Sequence, residues 1–73
     1  MLADTKQYKI NKRWGINCKT YKDYVGNKYY DVEVIMLDVP WQEVVDCRRN
    51  IIDSRIANSI FKEFVAKYKR LDY

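Results

Sequence analysis

Residues 16–37, INCKTYKDYVGNKYYDVEVIML, decide how this chain is read. Two runs rich in Tyr, Val and Ile flank Val25-Gly26-Asn27-Lys28. Gly at the first central position suits a two-residue type II′ turn, whose twist matches that of the strands it joins. A two-residue loop fixes the register. It sets Tyr24 opposite Tyr29, Lys22 opposite Asp31, Tyr21 opposite Val32, Cys18 opposite Ile35 and Ile16 opposite Leu37. An aromatic pair and an opposite-charge pair each add some tenths of a kcal/mol. In this register Tyr21, Tyr30, Val32, Val34 and Met36 share the more apolar face, expected to meet the rest of the protein. Lys22, Tyr24 and Tyr29 point outward together with Asp31 and Glu33.

Working back from the hairpin, residues 6–14 alternate, with Tyr8, Ile10, Lys12 and Trp14 on one side and Gln7, Lys9, Asn11 and Arg13 on the other. This reads as a further strand, with Gly15 at a bend. The expectation is a three-stranded antiparallel meander over about 6–14, 16–25 and 28–37. Residues 1–5 are expected to form a flexible arm.

Forward of the hairpin, Asp38-Val39-Pro40-Trp41 has the form of a helix start: a capping carboxylate, Pro in the first turn and Glu43 in support. No Gly or Pro occurs beyond Pro40, so residues 39–71 read as helical. At ~100° per residue, Trp41, Val44, Val45, Ile51 and Ile52 form one stripe. Ile56, Ile60, Phe61, Phe64, Tyr68 and Leu71 form a second, rotated by roughly 150°. The stripes change sides at Asp53-Ser54. A break there, with Asp53 or Ser54 capping a second helix, is preferred to one long kinked helix. The long-helix alternative leaves Phe61, Phe64 and Tyr68 as a protein or homodimer interface. The fold class is α+β: one small domain over 1–73, a meander followed by helices on one face.

The chemistry is bounded by what is missing. There is no histidine, the two glycines make no phosphate loop, and neither Ser54 nor Ser59 sits in a nucleophile context. Asp31 and Glu33 share a strand face but read as solvated or Lys-paired acids rather than metal ligands. Cys18 and Cys47 fit no zinc spacing and read as free thiols, with a single disulfide the alternative. No cofactor or metal is expected, and no enzyme; the alternative is a histidine-free nuclease using Arg13, Lys22 and Tyr24 as acid and electrostatic groups. No apolar run approaches the ~20 residues that span a bilayer, and Met1-Leu2-Ala3-Asp4 is unlike a secretory leader. The expectation is therefore a cytoplasmic protein.

Charge is ordered along the chain. Residues 1–30 carry seven Lys/Arg against two acids, residues 31–53 two against six, and residues 54–73 five against two. Cations and aromatics interleave in the first block, a pattern that contacts phosphates and stacks bases. The expected nucleic-acid contacts are Lys9, Lys12, Arg13, Trp14, Lys19, Lys22, Tyr24 and Tyr29. For bound phosphates the rim of Lys9, Lys12, Arg13 and Lys19 is preferred to the middle of the hairpin. The basic Lys67-Tyr68-Lys69-Arg70 is attributed to helix-dipole electrostatics. Two roles follow: a small basic binding or regulatory protein for RNA or single-stranded nucleic acid, or a protein-binding inhibitor acting through its C-terminal helix.

Overall fold

The computed structural model describes residues 2–41 and 43–71. Four strands, β1 Leu2–Lys9, β2 Trp14–Lys22, β3 Lys28–Met36 and β4 Glu43–Ile51, form an antiparallel sheet in chain order. A single helix, α1 Ser54–Arg70, closes the chain. The class is α+β, with one strand more and one helix fewer than the sequence suggests.

β3 explains the centre. Three of the four residues in its Val-Glu-Val-Ile run are β-branched, and the run is buried on both faces. Val32 and Val34 face α1, opposite Cys18 and Ile16 of β2. Ile16, Val32, Val34, Ile51, Ala57, Phe64 and Tyr68 make the core, with Trp14, Tyr30, Ile60, Phe61 and Val65 packed around it.

The hairpin differs from its expected form. Its loop is five residues, 23–27, and the last ladder pair is Lys22 with Lys28. Asp23 builds this loop: its Oδ1 accepts from the N–H groups of Val25 and Asn27 at 3.0 and 2.9 Å, and Gly26 adopts φ +90°. Every β2–β3 pair is therefore displaced by three residues from the two-residue register. An odd displacement exchanges the faces of a strand. Ile16 and Cys18 turn inward, Tyr21 turns to the open face opposite Tyr29, and Tyr24 lies in the loop instead of facing Tyr29.

Two further expectations are corrected. Leu2–Thr5 is no arm: Leu2, Asp4 and Thr5 pair with Tyr21, Thr20 and Lys19, while Met1 lies outside the described residues. Residues 43–51 are a strand rather than the first helix. Two register shifts, at Tyr30/Val32 and at Val34/Ile35, break the alternation of β4. They leave an apolar spacing that imitates a helical stripe. Asp38, expected as a cap, instead holds Arg13 at 3.2 Å.

The break at Asp53-Ser54 is present. Asp53 is the N-cap, its Oδ1 accepting from Arg55 N–H at 2.8 Å. α1 lies across β2, β3 and β4 on one face of the sheet. The opposite face carries no covering element among the described residues. Among those residues no helix is long and apolar enough to cross a membrane.

Candidate nucleic-acid interface

The turn between β1 and β2 is organised by Asn11. Its Oδ1 accepts from the N–H groups of Arg13 and Trp14, both at 2.9 Å, while Trp14 O accepts from the N–H groups of Ile10 and Asn11. Lys12 and Arg13 are thereby held out at the tip, both exposed. Arg13 O accepts from Leu37 N–H at 2.7 Å, and the Arg13 guanidinium meets Asp38. These bonds join the β1–β2 turn to the β3–β4 loop, where Trp41 stands 61% exposed.

Trp14 carries the connection to the helix. Its ring meets that of Tyr68 edge-on at 5.0 Å. The Tyr68 hydroxyl donates to Asp46 of β4 at 3.2 Å, and Lys67 Nζ reaches the same carboxylate oxygen at 3.4 Å. Burial, and then the charge of Asp46, push the Tyr68 hydroxyl pKa up. Tyr68 therefore pins the end of α1 to the end of the sheet that carries the β1–β2 turn. Lys9, Lys12, Arg13, Lys69, Arg70 and Trp41 all belong to that end.

Basic charge gathers at the same end of α1, whose last turn holds Lys67, Lys69 and Arg70. α1 holds five of the fourteen basic residues and one of the ten acids. Nine of each sign remain elsewhere, so the net charge of +4 is the net charge of the helix. At ~100° per residue, Asn58, Lys62 and Lys69 share the flank of α1 that overhangs β1, since Asn58 lines a groove with Lys6 and Tyr8. Lys67 and Arg70 fall on the β4 flank, near Asp46 and Arg48.

The eight residues selected from sequence are not brought together. Lys9, Lys12 and Arg13 lie at the basic end, with Trp14 turned inward onto Tyr68. Lys22, Tyr24 and Tyr29 lie at the opposite end, about 27 Å away along eight strand steps. There Tyr24 is fully exposed, and the Tyr29 hydroxyl donates to Asp23 Oδ2 at 2.8 Å. Lys19 lies between the two ends. Its Nζ is 3.1 Å from Glu33, which also holds Arg49 at 3.3 Å. Glu33 is buried although it stands on the uncovered face, shielded by the stems of these two cations. Asp31 accepts from Asn50 N–H at 3.1 Å.

Of the residues assigned to a protein interface, Phe64 and Tyr68 are buried against the sheet and Phe61 packs edge-on against Tyr8 at 5.2 Å. Cys18 and Cys47 are free thiols. Cys18 pairs with Val32 on the helix side and Cys47 with Glu33 on the other, so the sheet lies between them. Burial pushes the Cys18 thiol pKa up, against the pull of Lys6. Among the described residues no group of three or more Cys, Asp or Glu is placed to hold a metal ion.

Trp41, Lys69 and Arg70, which the fold adds to this end, are not among the residues selected from sequence. The sequence pattern puts Trp41 on a helical stripe. The signal for it was Asp38-Val39-Pro40, which serves a loop as readily as a helix start. Comparison of the chain with family models, with curated proteins and with solved structures finds no match.

Proposed function

We propose that this protein is a non-enzymatic module that binds single-stranded nucleic acid, RNA foremost, at its basic end. The observation that carries the reading is the Trp14–Tyr68 contact, which sets the β1–β2 turn beside the last turn of α1. Lys9, Lys12 and Lys69 are exposed there, and no ion pair to a described residue engages them. Their ammonium groups suit phosphates. The exposed Trp41 indole at the same end suits an unpaired base, which favours single strands over a duplex. The C-terminal dipole of α1 amounts to about half a negative charge, and the cations of the last turn outweigh it.

The test is binding of a labelled mixed-sequence single-stranded RNA, followed by anisotropy across a salt series, with the matching DNA strand and duplex as further arms. Lys12→Gln and Lys69→Gln are each expected to reduce the slope of log K on log salt by about 0.7. Trp41→Ala is expected to weaken binding roughly 5- to 100-fold while leaving that slope unchanged. Absence of binding at low salt would overturn the proposal. So would equal affinity for duplex together with indifference to Trp41→Ala.

A further inference from the structure

We propose that the β1 edge is the contact between two copies of this chain, paired antiparallel about a two-fold axis at Thr5. The inference does not depend on nucleic-acid binding. Among the described residues β1 hydrogen-bonds β2 along one side only, and all eight residues of β1 are exposed. α1 packs over the other three strands, and its ring contact with β1 is Phe61 on Tyr8. An exposed edge of this length presents a row of unpaired backbone groups that template another strand.

The two edges of the sheet are not equivalent. β4 carries two register shifts and has Asn50 at φ 58°, features that twist an edge away from further pairing. The irregularity of β1 lies between Leu2 and Asp4, at its start. Asp4–Lys9 is a regular run.

The side chains of that run select the partner. With the axis at Thr5, Asp4 of one copy faces Lys6 of the other, twice by symmetry, and Thr5 faces Thr5. Opposite charges and threonine pairs are both favourable directly across a ladder. Centring on Asp4 or on Lys6 sets like charges against each other, and a two-fold axis through the sheet cannot fall between two residues, because that would pair side chains of opposite faces. Neither Asp4 nor Lys6 has an ion-pair partner among the described residues. An edge that complements itself in one register is the requirement of an isologous dimer. The axis runs through the sheet, so both helices lie on the same side of an eight-stranded sheet. Asp4 and Lys6 are on that side too, by their pairing with Thr20 and Cys18. A groove of about 550 Å³ between β1 and α1, lined by Lys6, Tyr8, Cys18, Ala57 and Phe61, then flanks the seam in each copy.

Mass by light scattering and sedimentation equilibrium tests the pairing. The unaltered chain is expected at twice 8.9 kDa. Lys6→Asp and Asp4→Lys each set like charges across the seam, and each is expected to weaken the dimer roughly tenfold or more. The exchange Asp4→Lys/Lys6→Asp restores both pairs and is expected to restore the dimer. Independently, Thr5→Cys places two thiols across the axis at a separation a disulfide spans. Oxidation is expected to yield a covalent dimer well above that of the unaltered chain. A monomer at high concentration, a dimer indifferent to both single changes, or failure of the exchange to rescue would each overturn the proposal. Cross-linking of Thr5→Cys no stronger than that of the unaltered chain would do the same.

Discussion

Asp23 holds the β2–β3 loop with both carboxylate oxygens, one on two backbone N–H groups and the other on the Tyr29 hydroxyl. The Tyr29 bond, followed by those backbone groups, lowers the Asp23 pKa. The same bond raises that of Tyr29. A depressed carboxyl contributes stability that is present above its unfolded value of about 3.9 and fades as pH falls through the lower folded value. A raised phenol contributes stability that is present below its unfolded value of about 10 and fades as pH rises through the folded one. The loop is therefore expected to hold across the range between those limits and to loosen outside both. Amide shifts and exchange of Gly26 and Asn27, followed against pH, measure this. Tyr29→Phe should move the acid-side midpoint upward, and an unmoved midpoint would remove Tyr29 as the cause. Glu33 illustrates the opposite burial regime at the same scale. The residue is 4% exposed, yet Lys19 and Arg49 keep contact with water, so neither cation is confined to the pair. That pairing is why Lys19, selected from the sequence as a phosphate contact, is engaged within the protein.

At the scale of elements, α1 depends on its cap and on one face. Asp53→Ala leaves the Arg55 N–H without its acceptor and is expected to cost about 1 kcal/mol, or roughly 4–8 °C in Tm for a chain of this size. Thermal melts of the two proteins check it, and an unchanged Tm would show that the cap is replaced by water at no cost. The helix was legible because Asp53 sits at a change of apolar stripe and because Phe61, Phe64 and Tyr68 recur at helical spacing. β4 was not legible. Its register shifts place Val44, Val45 and Ile51 where neither a period of two nor a covered face can be recognised, and two of the three are exposed. The hairpin was legible as a hairpin, but its faces were not. Gly26-Asn27 suggests a two-residue turn, whereas the Asp23 carboxylate closes a larger loop through bonds that act over four residues. One side chain thus decided whether Tyr21 or Ile16 entered the core. The proposed site was half legible for the same reason: Lys9, Lys12 and Arg13 are local to one turn. Lys69 and Trp41 join them only through packing between distant elements.

For the whole molecule the question is whether an anionic partner responds to net charge or to where the charge lies. The helix carries +4 and the remainder is neutral, and three of the five helical cations lie in its last turn, so the positive field is directional. Two variants of equal net charge separate the possibilities. Lys69→Glu/Arg70→Glu brings the chain from +4 to neutral at the basic end. Lys28→Glu/Arg55→Glu reaches the same total at the opposite end. The second pair gives up the exposed Arg55–Asp53 contact of 3.4 Å, and its other effects on the fold are favourable. Lys28 faces Lys22 across the ladder, so its reversal replaces a repulsion by an attraction. A glutamate at position 55 sits favourably at the positive end of the helix dipole. If a diffuse field governs association, both variants lose affinity for single-stranded RNA alike. The arrangement described here expects the first to lose at least tenfold more than the second, and to show the larger fall in salt dependence, because it removes contacts as well as field. Equal losses at matched ionic strength would remove the proposed binding site from the end where Trp14 meets Tyr68.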